Sequence, residues 1–304
     1  MNKKKIDSTS LRHQIAINYR NYLLLAPYLI FFTIFVFVPV ITAVALSFTD
    51  FDLLRAPKFV GIENYIRLFI EDDVFLTVLK NTMVFAFVTG PICYILSFLM
   101  AWLLNETNPK IRPILITVFY APTISGQIYT IWGYIFSSDS YGLVNSFLTS
   151  WGIVEDPIYW LTNPQTLLSV LIIVQIWMSL GTGFLTFSAG LKGTDRNLYE
   201  AGSIDGIRNR VQELWYITLP QMAPQLLFGA VMQIVSSFSV GDICVALCGS
   251  PTPEYAGDTI ITYMNDFVSV RYELGYGSAI AVILFLLMYY SKKLVGKLLE
   301  RVGQ

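Results

Sequence analysis

Six stretches of this chain contain no Asp, Glu, Lys or Arg: residues 21–49, 81–105, 113–138, 157–191, 214–241 and 274–291, the shortest of them 18 residues long. A helix rises about 1.5 Å per residue, so about 20 residues cross the roughly 30 Å apolar core of a bilayer. A charge at the centre of a crossing helix costs roughly 2.5–3.5 kcal/mol on the insertion scale, which makes six such clean intervals a strong constraint. Composition agrees. Only 13% of the 304 residues are charged and 55% are hydrophobic, whereas about a quarter of an ordinary soluble domain is charged. The expected fold class is an all-α membrane protein with six transmembrane helices and the lipid bilayer as its main solvent.

The first apolar run follows a basic tail (Lys3, Lys4, Lys5, Arg12, Arg20) and precedes Ala43-Val44-Ala45, which imitates a secretory signal with its cleavage site. A signal's apolar region is about 7–15 residues, so a run of this length, followed by five more, reads as a span. Lys and Arg then set the orientation. The amino tail, 105–112, 192–213 and the carboxyl tail hold 15 of the 20, and the three alternate connections hold Arg55, Lys58, Arg67, Lys80 and Arg271. The positive-inside rule places both termini and the 192–213 loop in the cytoplasm. The expected organisation is a tail at 1–21, a first transmembrane helix at 22–49, a five-helix core at 75–291 and a cytoplasmic tail at 292–304. Two amphipathic segments, 59–69 and 143–151, read as short surface helices on the outer side.

Chemistry-bearing motifs are sparse. No G-x-x-x-x-G-K-[ST] sequence is present, so the chain has no P-loop for nucleotide phosphates. The single histidine, His13, lies in the tail, and Cys93, Cys244 and Cys248 match no disulfide or zinc spacing. These observations predict no catalytic residues, no metal and no cofactor. The spans do carry neutral polar residues: Tyr120 and Ser125 in the third, Gln175 and Ser179 in the fourth, and Gln233, Ser236 and Ser239 in the fifth, with Thr123, Gln127 and Thr182 nearby. Such groups hydrogen-bond between packed membrane helices, and they equally suit the lining of a path for an uncharged, polyhydroxylated solute. Asp242 is expected near the outer surface.

The longest connection, from Leu191 to Pro224, is the most informative segment. Asp195 or Asn197 can cap a short helix over 198–204, and Gly206 can end it in a left-handed conformation. A second short helix from about Asn209 to Tyr216 would lead into the fifth span. Leu198, Tyr199, Ala201 and Ile204 would give the first helix either a peg for a partner's groove or a face resting on the membrane, and local physics favours neither.

Within this segment Glu200-Ala201-Gly202, then Asp205-Gly206, then Ile217-Thr218-Leu219-Pro220 resembles the EAA motif of permeases in type I ABC importers. The likeness runs over about 22–292, through PYLIFF and SFTDFD around the first span and FVGIENYIRLF after it, and is nearest the subfamily importing maltose-type oligosaccharides and glycerol phosphate. Two departures stand out: Gly202 replaces the usual third alanine, and ten residues rather than nine separate Gly206 from Ile217. The resemblance implies the six-helix type I permease fold in a bacterial cell membrane, with a coupling loop at 192–220. It implies that Glu200, Ala201, Gly202, Asp205 and Gly206 dock on an ATPase. Its implied partners are two cytoplasmic ATPase subunits, a second homologous permease, an extracellular solute-binding protein and a carbohydrate, with no nucleic acid. ATP hydrolysis would belong to those ATPase subunits and not to this chain. Two other readings stay open: an ion-coupled secondary transporter or channel, and an importer of the same class for a non-sugar solute. The lack of inverted repeats, and of a buried ionisable residue in the spans, weighs against the first.

Overall fold

The structure, a computed structural model, describes residues 18–125 and 128–300, with the side chains of 121–124, 180–182 and 299–300 left aside. His13, Gln127, Arg301 and most of the amino tail therefore lie outside the described residues, as do the side chains of Thr123 and Thr182. Among the described residues all regular structure is helical apart from one isolated bridge between Thr49 and Phe59. Among the described residues five helices are long and apolar enough to cross a membrane. They are α1 (Tyr19–Leu46), α3 (Asp73–Glu106), α7 (Pro164–Lys192), a segment Ala223–Cys248 whose main part is α10 (Ala223–Phe238), and α13 (Leu274–Glu300).

The third expected span is two shorter helices, α4 (Arg112–Ile124) and α5 (Ile128–Ile135), of 13 and 8 residues, on either side of 126–127. Neither alone spans 30 Å at 1.5 Å per residue. The fifth begins later than its apolar run. The stretch 214–221 is a separate helical piece that breaks at Met222, and α10 starts with Pro224 in its first turn. Proline lacks the N–H that an interior turn needs and is well placed in a first turn, where that donor has no partner anyway. The fourth begins at Pro164, where the Asn163 side chain accepts from the Gln165 N–H at 3.0 Å. Residues 157–163 belong to the preceding loop.

Helices α3, α7 and α10 form the centre, with α4 on α7 and α13 on α10. Three apolar clusters stack along the bundle, one around Val78, Phe267 and Ile280, one around Phe85, Leu171 and Val174, and one around Phe98, Phe187 and Leu226. In a bilayer close packing rather than expulsion of water joins helices, so small residues matter at contacts. A Cβ on Gly183 of α7 would lie 2.5 Å from the Ser97 hydroxyl of α3. Cys93 and Cys244 are buried packing residues with free thiols. The first helix, α1, has no buried residue in its helical pieces and meets the rest through its last turns against α13.

One end of the bundle carries an ordered cap rich in acidic residues. The short helix α2 (Glu63–Ile66), continued by a wider turn over Arg67–Glu71, is held by Asn64, whose amide donates to the carbonyls of Ser47 (2.9 Å) and Thr49 (2.8 Å). Asp72 accepts from the phenols of Tyr263 and Tyr276 at 2.6 and 2.5 Å. Burial and the Asp72 bond both push the Tyr263 phenol up from its ordinary value. On α6 (Leu143–Ser150), the surface helix expected at 143–151, the side chain of the buried Asn145 makes five hydrogen bonds, to Ser137, Asp139, Ile158 (two) and Trp160. Further along, α11 (Asp242–Cys248) and α12 (Ile260–Asn265) flank a loop in which the carboxylate of Asp258, 1% exposed, accepts from the Thr252 N–H and from the hydroxyls of Ser250, Thr252 and Thr262. Asn81 of α3 donates to the carbonyl of Tyr255 at 2.8 Å and tethers that loop to the bundle.

Candidate functional site

At the opposite end, which carries Lys110, Arg112, Lys192 and Arg210, the 192–222 connection folds into a compact unit. Asp195 is the cap of α8 (Arg196–Ile204), its carboxylate accepting from the Asn197 N–H at 2.9 Å. Asn197, the alternative cap, lies inside the helix. Gly206 follows with φ +96°, a backbone that an L side chain adopts only under strain, and turns the chain back on itself. The Ile207 N–H then bonds the Gly202 carbonyl at 2.9 Å. Asn209 caps α9 (Arg210–Glu213) by accepting from the Gln212 N–H, and the Gln212 side chain accepts in return from the Arg208 N–H at 3.0 Å. The helical path continues through Leu214–Thr218 and Leu219–Gln221 to Met222, longer than the expected 209–216.

Helix α8 is fastened to this path by two contacts. Gly202 is buried, and a Cβ there would come within 2.7 Å of the Ile217 Cδ1 and 3.1 Å of the Ile207 Cδ1. Three residues earlier, on the same face, the Tyr199 hydroxyl meets the Thr218 hydroxyl at 2.9 Å. The expectation of an outward Tyr199 is thereby corrected, since helical spacing puts it with Gly202 on the inner face. Glu200, Ala201, Asp205 and Gly206 are exposed, and Ile204 is 87% exposed. Trp215 and Tyr216 on the following path are exposed as well. The Glu200 carboxylate lies 3.7 Å from Arg196, a solvated pair worth less than about 1 kcal/mol, which leaves it open to a stronger partner.

Behind α8 is a polar cavity of about 360 Å³ lined in part by Trp102, Glu106, Thr194, Arg210 and Glu213. The Arg210 guanidinium lies 2.7 Å from Glu213 and 3.4 Å from Glu106 at the end of α3. The Glu213 hydrogen bond, with the charge of Glu106, raises the Arg210 pKa above its ordinary value. These contacts join the connection to the longest helix of the bundle.

The polar span residues fall into two groups. Ser236 and Ser239 are exposed at the far end of a stripe on α10 that includes Phe228, Met232 and Val235. Ser125 is also exposed, and Tyr120 and Gln175 are half-buried. Trp177, two residues past Gln175, meets Trp132 edge-on with ring centroids 5.4 Å apart. Tyr120 on α4 and Gln175 on α7 belong to helices packed together, and α10 packs on α7 as well.

Ser179 and Gln233 are used inside the protein. The Ser179 hydroxyl, buried, donates to the Ile176 carbonyl at 2.8 Å, and the Gln233 amide donates to the Ser237 hydroxyl at 3.4 Å. Asp242 is exposed in the first turn of α11. Among the described residues no group of three His, Cys, Asp or Glu side chains is placed to hold a metal ion. Sequence reasoning missed Asn145 and Asp258, because their partners lie in loops with no periodic pattern to reveal them.

The model of one protein family, described as "Binding-protein-dependent transport system inner membrane component", matches residues 15–301. Among curated relatives, "Probable ABC transporter permease protein YesP" of Bacillus subtilis (strain 168) is 31% identical over 275 residues, covering 89% of this chain and 87% of that protein. "Lactose transport system permease protein LacF" of Rhizobium radiobacter is 31% identical over 243 residues, 77% of each chain. Among solved structures, a chain of a bacterial alginate ABC transporter in complex with an alginate pentasaccharide-bound periplasmic protein superposes with a TM-score of 0.76 at 25% identity, over 97% of this chain and 98% of that one.

Proposed function

This chain belongs to the inner membrane components of binding-protein-dependent transport systems, and from that premise we propose that it is the permease of an ATP-driven importer for an oligosaccharide. The observation that carries the coupling part is α8, an exposed helix fixed through Gly202 and Tyr199 to the helical path after it, which Arg210 joins to Glu106 of α3, and presenting Glu200, Ala201 and Ile204 outward. A partner can push on such a helix, and the push reaches α3 and α10 without being lost in a loose loop. The sugar part is supported by relatives named for lactose and arabinooligosaccharide transport, and by neutral hydrogen-bonding groups in the spans. In this reading the solute passes along the exposed faces that carry Ser125, Ser236 and Ser239, with the half-buried Tyr120 and Gln175 beside them and Ser179 and Gln233 supporting the helices behind. The partners are two ATPase subunits, a second permease and an extracellular solute-binding protein. Six crossings with both termini inside complete the proposal.

Affinity purification of the tagged chain from its own membranes is the test. The expected result is co-purification of an ATPase and a second permease, with uptake of a neutral oligosaccharide that vanadate stops and a protonophore does not. Ser236→Trp, placed on the exposed stripe of α10, should lower that uptake while leaving the complex assembled. Uptake that a protonophore abolishes, with no ATPase in the purified material, would identify a secondary transporter instead.

A further inference from the structure

The polar cavity behind α8 is a cleft between three helices, and each gives it a stripe of side chains at helical spacing. Trp102, Asn105 and Glu106 come from the end of α3, and Arg210 and Glu213 from α9. Arg196, Tyr199, Glu200 and Ser203 come from α8, at intervals that put them on one side of that helix. The volume of about 360 Å³ falls within the roughly 300–1,000 Å³ of small-molecule sites. The charges in the cleft are already paired. Glu106 and Glu213 flank Arg210 at 3.4 and 2.7 Å, and Glu200, 70% exposed, faces Arg196 at 3.7 Å. Three carboxylates against two guanidinium groups leave one negative charge in excess. The hydroxyls of Thr194, Tyr199, Ser203 and Thr218 are held by hydrogen bonds within the protein, which fixes their positions around the space.

We infer that this cleft binds a neutral, polyhydroxylated molecule of the size of one or two sugar rings. Paired carboxylates and guanidinium groups present acceptors and donors side by side, and a hydroxyl is the group that both donates and accepts. An anion meets a surplus of carboxylates there, and a simple cation meets two guanidinium groups and offers them no acceptor. Trp102 and Leu191 supply an apolar wall for the C–H groups of a ring. A molecule held this way touches α3, α8 and α9 together and ties them to one another. The cleft shares no residue with the faces that carry Ser125, Ser236 and Ser239, and its binding of a sugar does not depend on the importer reading.

Hydrogen exchange of the purified full chain, read by mass spectrometry while a sugar is titrated from micromolar to tens of millimolar, tests the assignment. Lactose and glucose should both slow exchange over 196–213 and leave 250–258, at the other end of the bundle, unchanged. Glucose 6-phosphate should need at least about fivefold more than glucose for the same effect, because it adds negative charge beside the three carboxylates. Spermidine, a cation without hydroxyl groups, should have none. Ser203→Trp, which fills the cleft from an exposed position, should abolish the effect with thermal unfolding unchanged, and Asn197→Trp, exposed on α8 outside the cleft, should keep it. Ser236→Trp should keep it too, which separates this site from the proposed solute path. No slowing by either neutral sugar, equal potency of glucose and glucose 6-phosphate, an equal effect of spermidine, or an undiminished effect in Ser203→Trp would each overturn the assignment.

Discussion

Asn145 joins three stretches of chain through one amide: its N–H groups reach the carbonyls of Ser137, Asp139 and Ile158, and its oxygen accepts from the Ile158 N–H and the Trp160 indole. Removing a buried partner costs the desolvation of every group it leaves behind, about 1–3 kcal/mol. Asn145→Ala should therefore lower the thermal unfolding temperature of the purified chain and open 137–163 to protease, while α8 stays protected. Unchanged proteolysis of that loop would show that the amide does not organise it. Gly202 illustrates the opposite relation of sequence to structure. Its departure from the usual alanine was visible in the sequence, but the reason, the two isoleucine methyl groups pressing on it, depends on residues 5 and 15 positions further on.

Helix α8 and the turn after it act as one element, because Gly206 sets the angle and Gly202 sets the distance to the bundle. Gly206→Pro imposes φ near −65° where the chain needs +96°, and Gly202→Leu forces a side chain against Ile217. Both changes leave the spans untouched. The expectation is normal insertion with loss of ATPase co-purification and of uptake, and a milder defect in Gly202→Ala, since the opposing atoms are the ends of flexible side chains. Full uptake by Gly206→Pro with the ATPase still bound would mean that α8 only rests on the membrane. The cap at Asp195 and the turn at Gly206 were both legible in the sequence. The inward Tyr199 was not, because its partner Thr218 belongs to another helical piece.

Among the described residues one end of the bundle is rich in Lys and Arg and the other in Asp and Glu, and the 15 to five division of the basic residues along the sequence predicts that the basic end faces the cytoplasm. Reporter fusions after Lys110, Arg208 and Lys297 should report the cytoplasm, and fusions after Asp139 and Gly257 the outside. A cytoplasmic signal at Asp139 or Gly257 would remove the six-crossing topology. This test also decides whether the pair α4 and α5, each too short to cross alone, together make a third crossing.

Apolar run lengths, charge placement, the cap and the glycine turn are local properties, and for these the chain's order of residues is sufficient: each depends on neighbours within a few positions. The identity of the inner and outer faces of α8, the use of Ser179 and Gln233 inside the bundle and the sealing of Asp258 depend on which helices meet. In a membrane the lipid-facing side of a span is as apolar as its packed side, so periodicity cannot distinguish a lipid-facing residue from a packed one. Only the tertiary structure decides that, because contact between helices is set by shape at close range and not by the hydrophobicity that the sequence displays.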